Sequence, residues 1–363
     1  MAAAPGHPRS GRTAAPHRPR RPREVLRPRR TRRRRPAPPR ALVERPVPEP
    51  AAGQVVIRVR AVALNFRDLL IARGHYPLPV KPELVPGSDA AGEVVAVGPG
   101  VTRFSEGDRV MPAFFETWET GPMRMSDHGS ARGGAIDGVL AEYVAVDARA
   151  LVRIPAHLSF EEAATLPCAG VTAWRALFES APRHKTGDTV LCLGTGGVSV
   201  FAAQLALAAG LEVIMTSSSE KKLDRVRALG VRRTIDYRRD PDWERLVLDA
   251  TGGDGVDHVV EVGGSGTIAR SLAALKIGGT VSLIGALTGV DANIDPIAIL
   301  AKSARVQGVF VAPRSSLDAL SRAMEARELR PVVDRVFAFE AANEALAALA
   351  EQKHVGKLVV RVG

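Results

Sequence analysis

Two patterns of apolar and polar positions succeed one another along the chain. Over residues 55–62, polar Arg58 and Arg60 alternate with Ile57, Val59 and Ala61, the two-residue period of a half-buried strand. Residues 92–97 and 140–146 read as further strands, separated by Gly- and Pro-rich turns. Between 116 and 137 the periodicity fades into a run rich in Gly, Met and Ser, which predicts a long loop. From about Ser159 the texture becomes strand–helix alternation. Strands are predicted over 189–193, 212–216, 234–236, 256–262 and 280–284, with helices over 197–209 and 219–229 and helical segments between the later strands. Such alternation predicts a parallel sheet covered on both faces. After about Lys302 come a strand over 306–311, a helix over 316–327, a strand over 332–337, a helix near 341–349 and a terminal strand over 357–362. No internal repeat interrupts this order.

Composition agrees with a folded body and isolates one segment that differs. With 363 residues, 45% hydrophobic and 25% charged, the chain is long enough for two domains of ordinary globular composition. Two cysteines, Cys168 and Cys192, cannot build a disulfide framework or a four-thiolate zinc site. The most apolar stretch, 198–215, is broken by Gln204, Gly210 and Glu212, so it predicts a helix and then a strand rather than a membrane span. A soluble, cytoplasmic protein is expected. The net charge of +11 is not spread evenly: residues 1–40 hold 14 arginines and nine prolines against the single acid Glu24. That tail lacks the apolar surface needed to offset ordering entropy, so disorder is expected. It has no apolar core for a secretory signal. It reads as a stretch without function, as a nucleic-acid or polyanion contact through Arg32 to Arg35, or as an organellar targeting segment, the last weakened by its prolines.

The sharpest local motif is Gly194-Thr195-Gly196-Gly197-Val198-Ser199, placed after a strand and before a helix. In that setting the first glycine permits a tight turn, the next lets backbone approach a pyrophosphate, and Ser199 keeps helix and strand close. The helix N-terminus then offers free N–H groups and partial positive charge to phosphates. The motif predicts a Rossmann dinucleotide site. At the end of the second strand, where NAD sites place a carboxylate for the ribose, the chain reads Thr216-Ser217-Ser218-Ser219, followed by Lys221 and Lys222. Hydroxyls and an ammonium there suit a 2′-phosphate, so NADPH is the expected cofactor.

With these parts assembled, the body from about Val43 onward resembles the medium-chain dehydrogenase/reductases, nearest their zinc-independent quinone oxidoreductase and enoyl reductase branch. The resemblance rests on Ala63-Leu64-Asn65-Phe66-Arg67-Asp68, Pro86-Gly87-Ser88-Asp89-Ala90-Ala91-Gly92 and Gly107-Asp108-Arg109-Val110. It continues through Pro167-Cys168-Ala169-Gly170-Val171-Thr172-Ala173 and the glycine motif to His354-Val355-Gly356-Lys357, in the family's order. It implies an α/β protein in which a GroES-like β-rich catalytic domain is joined to a Rossmann doubly wound parallel sheet domain. The expected division is a disordered tail over 1–40, the first part of the GroES-like domain over 41–158, the Rossmann domain over 159–301 and a segment completing the catalytic domain over 302–363. By resemblance, Asn65 and Thr172 lie near the nicotinamide half of the cofactor. Gly194, Gly196, Gly197 and Val198 meet the pyrophosphate, and Ser218, Lys222 and Tyr237 the 2′-phosphate end. Ile284, Phe310 and Val311 line the nicotinamide pocket, closed by Gly356 and Lys357. Homodimerisation through the strand near 306–311 is likewise implied.

Zinc-dependent relatives carry cysteine, Gly-His-Glu and a third cysteine or aspartate where this chain has Asn65, Ser88-Asp89 and Cys168. One thiol and one carboxylate are not a soft tetrahedral set, so no metal is expected. His128 is expected at the surface and Cys168 as a small buried residue; the family's short first strand would fall in the Arg/Pro tail. Without a metal, the implied chemistry is hydride transfer to a quinone or an activated enone or enoyl double bond of a small-molecule substrate. Asn65 is a candidate for holding the substrate oxygen and Tyr76 a candidate proton donor, although Tyr76 also reads as a packed tyrosine. Arg67 and Asp68 are candidates for a structural ion pair. Two alternatives stay open: a zinc-type alcohol dehydrogenase acting on an alcohol/aldehyde pair, and a non-catalytic NADPH-binding protein.

Overall fold

The computed structural model describes residues 41–291 and 294–363. The expectations for the tail, namely disorder, polyanion binding, targeting and a missing first strand, lie outside the described residues.

The first half of the body is an antiparallel module. It contains β1 (Gln54–Ala63), α1 (Phe66–Ala72), β2 (Asp89–Val97), β3 (Arg109–Pro112), β4 (Tyr143–Asp147) and β5 (Leu151–Arg153). Two short helices, α2 (Phe160–Ala163) and α3 (Val171–Trp174), lead out of it, and π-helical turns at Leu166–Gly170 and Arg175–Glu179 flank α3. The parallel region follows: β6 (Thr189–Cys192), α4 (Gly197–Ala208), β7 (Glu212–Ser217), α5 (Glu220–Arg227), β8 (Arg233–Asp236), α6 (Trp243–Ala250), β9 (Val256–Glu261), α7 (Ile268–Ala274), β10 (Leu275–Leu283), α8 (Pro296–Ala301) and β11 (Arg305–Gly308). The chain closes with α9 (Arg314–Ala326), β12 (Val333–Phe337), α10 (Ala342–Glu351) and β13 (Lys357–Arg361).

These strands form two sheets. β13 returns to pair with β1, so the seven-stranded sheet runs β12-β13-β1-β2-β3-β5 with β4 also on β1. Its central strand is buried on both faces, with Ile57 and Val59 in one apolar cluster and Ala61 and Ala63 in another. The six-stranded sheet is parallel throughout, in the order β11-β10-β9-β6-β7-β8. The order reverses between β6 and β9, and ligands in such sheets bind outside the strands' carboxyl ends at that reversal. Among the described residues, no helix is long and apolar enough to cross a membrane.

Several elements differ from their expected bounds for local reasons. β4 begins at Tyr143 rather than 140, because Val139 and Leu140 donate their N–H groups to Pro86 and Gly87 instead of to a ladder. β10 starts five residues before 280. The strand expected to reach Val311 stops at Gly308, since Val311 has φ +52°. Residues 116–137 are not featureless. They hold a 3-10 turn at Met125–Ser130, where Thr117 Oγ1 meets Asp127 and Ser130, and an ion pair joins the buried Arg132 to the half-buried Glu116.

Candidate active site

The turn between β6 and α4 is built for close approach. Gly194 has φ +71°, a conformation that strongly favours glycine, and its N–H donates to Thr216 Oγ1 at 3.2 Å. Ser199 Oγ donates back to the Leu193 carbonyl at 2.6 Å, fixing the helix against the strand it follows. Side-chain positions added at Gly194 or Gly196 would meet nothing within 4 Å, so open space stands over the turn and the first N–H groups of α4. Gly197 differs: a Cβ there would lie 2.6 Å from Lys357 Cδ. The smallness of this glycine therefore also serves the lysine that crosses the turn. Val198 follows as a half-buried residue of the first helical turn.

At the end of β7, Tyr237 donates its N–H to the Ser217 carbonyl and brings the β8 end alongside. Ser218 is half-buried there, and the Tyr237 side chain is exposed. Lys222, in the first turn of α5, donates to the Gln352 carbonyl at 2.5 Å. Burial and the neighbouring Arg238 guanidinium both hold its pKa below the usual lysine range. Ser217 Oγ is buried without a hydrogen-bond partner. Arg238 has no motif to mark it in the sequence; the adjacent Arg238-Arg239 pair is its only signal. An orphan hydroxyl, two cations and open space over the glycine turn fit a phosphorylated dinucleotide.

Across the glycine turn from Gly197, Lys357 is buried and donates to the Leu64 carbonyl at 2.5 Å and to Asn65 Oδ1 at 2.6 Å. Asn65 Nδ2 donates to Ser88 Oγ at 3.3 Å, and Ser88 Oγ donates to Asp89 Oδ1 at 2.7 Å. Asp89 Oδ2 is buried without a partner. Burial pushes the Asp89 carboxyl up to about 6 in spite of the opposing pull of Lys357. Cys168 stands in the same field, its thiol pushed well above the usual range by desolvation and by Asp89. It is partly exposed, not the fully buried residue expected. Thr172 is buried one turn later on α3.

An aromatic wall faces this group. Phe310 follows β11 with its ring centroid 6.4 Å from Phe114, 5.8 Å from Phe115 and 5.5 Å from His128. His128 is thus half-buried in the wall and not the surface histidine expected. Val311, a buried β-branched residue at φ +52°, is held there by Arg175, whose Nη1 donates to its carbonyl at 3.2 Å. Such a backbone costs on the order of 1–3 kcal/mol and fixes where Phe310 points. Ile284 is anchored by its N–H to the Glu261 carbonyl at 2.8 Å. Arg67 stacks over the Phe114 ring at 4.6 Å and the Tyr76 ring at 5.0 Å, and donates to the Arg132 carbonyl at 2.8 Å and to Tyr76 Oη at 3.4 Å. Tyr76 is therefore packed on Arg67, whereas Asn65 and Lys357 meet directly. Asp68 Oδ2 accepts the Asn65 N–H at 2.8 Å, capping α1.

The donor set does not suit zinc. Asn65, Asp89 and Cys168 converge, but an amide already committed to Lys357, a thiol held protonated and a resident ammonium make poor company for a divalent cation. Among the described residues no group of three His, Cys, Asp or Glu is placed to hold a metal ion.

Comparison with known proteins matches this geometry. Residues 51–156 match the alcohol dehydrogenase GroES-like domain and residues 197–326 the zinc-binding dehydrogenase model. A zinc-type alcohol dehydrogenase-like protein of Schizosaccharomyces pombe is 45% identical over 316 residues, covering 85% of this chain and 91% of that protein. The solved structure of an NAD-dependent alcohol dehydrogenase superposes with a TM-score of 0.80 at 34% identity, covering 88% of this chain and 95% of that one. The structure of the 2-octenoyl-CoA carboxylase reductase CinF in complex with NADP and 2-octenoyl-CoA does so at 0.79 and 28% identity, covering 88% and 81%. The two family models and the relative 45% identical over 85% of the chain show the family: the chain belongs to the medium-chain dehydrogenase/reductase family and is an NAD(P)H-dependent oxidoreductase.

Proposed function

We propose that this oxidoreductase uses NADPH to reduce a quinone or an activated enone or enoyl double bond without a metal ion. The observation that carries the reading is the buried Lys357 ammonium bonded to Asn65, which leads through Ser88 to Asp89, where a catalytic metal would need its ligands. The bound reduced nicotinamide supplies hydride. Gly194, Gly196, Gly197 and Val198 hold the pyrophosphate, and Ser218, Lys222 and Tyr237, joined by Arg238, hold the 2′-phosphate. Thr172, Ile284, Phe310, Val311, Gly356 and Lys357 frame the nicotinamide end. The aromatic wall excludes water, and holding hydride donor and acceptor together there contributes up to about 7–11 kcal/mol. A quinone or conjugated carbonyl spreads the charge it gains onto oxygen, which Asn65 is placed to meet; Tyr76 stays a candidate for delivering the completing proton. CinF, solved in complex with NADP and 2-octenoyl-CoA, supports this substrate class.

The reading includes the domain division at about 158/159 and 301/302, a cytoplasmic location and a homodimer formed through the exposed edge strand β11. Its test is NADPH consumption against quinones, 2-enals, enones and enoyl-thioesters, with NADH in parallel. Turnover of at least one class with NADPH preferred is the expected result. Turnover confined to alcohols or saturated aldehydes would overturn it.

Lys222 gives the cofactor preference a direct measure. One charge-assisted hydrogen bond is worth about 1.5–3 kcal/mol, so Lys222→Ala is expected to weaken NADPH roughly 10- to 150-fold. NADH binding should barely change. Titration of both cofactors by protein fluorescence checks this, and equal losses would refute the assignment.

A further inference from the structure

The group around Asp89 is a directed chain. Lys357 gives one N–H to Leu64 and one to Asn65 Oδ1, which turns the Asn65 amide nitrogen to donate one hydrogen to Ser88 and leaves the Ser88 hydroxyl for Asp89. The lysine passes close by Gly197, where an added Cβ would lie 2.6 Å from its Cδ. Beyond Lys357, the charged or titratable groups acting on Asp89 and Cys168 are Arg67 and Asp68 of α1.

We propose that Lys357 is the resident cation of this site: its ammonium takes the place of a metal ion, is linked to the Asp89 carboxylate through Asn65 and Ser88, and sets the orientation of the Asn65 amide. Lys357 is a positioning residue in this role. A buried cation and a buried carboxylate that share one environment are each costly alone, and removing one partner leaves the other uncompensated. The ammonium also repels a second cation from Asp89 and Cys168, which accounts for a zinc-type fold whose ligand positions do not suit zinc. The inference takes its location from the reductase reading but makes a claim that needs no turnover.

The test is a double-substitution cycle in the full-length protein, read as thermal midpoints at pH 8. Lys357→Met and Asp89→Asn are each expected to lower the midpoint by about 5 °C or more, and the double substitution by less than half the summed losses. Should Lys357→Met fail to fold, adding Asp89→Asn should restore folded protein. Zinc added to the wild type and then desalted should not remain at stoichiometric level. Additive losses, no rescue by Asp89→Asn, or stoichiometric retained zinc would each overturn the proposal. A wild type that reduces nothing on the substrate panel would end the functional reading and leave this cycle standing; additive losses in an active enzyme would end the inference alone.

Discussion

Lowering the pH from 7 to 5 is expected to cost the folded chain roughly 3 kcal/mol of stability, carried by two histidines. His258, on β9, is wholly buried, with Nδ1 3.0 Å from His184 Nε2 and Nε2 2.8 Å from Ser282 Oγ. The two imidazoles stack at 5.1 Å, and burial pushes His258 down from 6.5 to about 3. His354, just before the Gly356 turn, is likewise pushed by burial to about 4, with Asp334 pulling the other way. Both rings stay neutral in the fold while the unfolded chain takes up protons below 6.5, so stability rises with pH between each folded value and 6.5 and is lost as pH falls through that window. Asp89 acts in the opposite sense, because its folded value of about 6 lies above the ordinary 3.8 and the fold takes up that proton first. At about 1.4 kcal/mol per pKa unit, the two histidines outweigh the one carboxyl at pH 5. Urea midpoints at pH 7, 6 and 5 measure the effect, and His258→Gln should flatten the slope. A wild-type midpoint that does not move over this range would show that the rings are not held neutral.

Gly356→Ala is expected to be the most damaging single methyl in the cleft. Gly356 has φ +79°, and a Cβ there would lie 2.2 Å from the Val332 carbonyl oxygen and 2.9 Å from Val332 Cβ. Backbone cannot step aside as a flexible side chain can. The same turn donates the Gly356 N–H to the Thr195 carbonyl at 3.0 Å and the Lys357 N–H to Val332 at 3.0 Å, so displacing it disturbs the glycine loop and the lysine together. We expect a loss of about 3 kcal/mol or more and weaker NADPH binding. Gly107→Ala is the control: at φ +88° with nothing within 4 Å of its Cβ, it should cost only about 1 kcal/mol. Urea unfolding of both variants decides the matter, and equal losses would mean that the turn yields freely.

What the chain disclosed in one dimension and what it kept back divide along a physical line. The parallel sheet was legible because each strand and helix carries its own period, and Gly194 to Ser199 announced the turn because tight turns restrict residue type locally. Contacts far apart in sequence were not. Lys357 and Asn65 stand 292 positions apart, so nothing local reveals that one orients the other. In the sequence Asp89 reads only as a metal-ligand position, because its orphan oxygen depends on burial that no local pattern encodes. The order in 116–137 comes from Arg132, Glu116 and the Arg67 guanidinium, which leave no period behind them. Val311 misled for the opposite reason: a β-branched residue predicts extended backbone, and Arg175 holds it elsewhere.

If Lys357 rather than a metal ion supplies the fixed positive charge, NADPH oxidation by an enone or quinone should not depend on metal. Rates are compared after exhaustive chelation and again after zinc is returned. The same rate in both samples is expected, whereas activity that vanishes on chelation and returns with zinc would refute metal-free reduction.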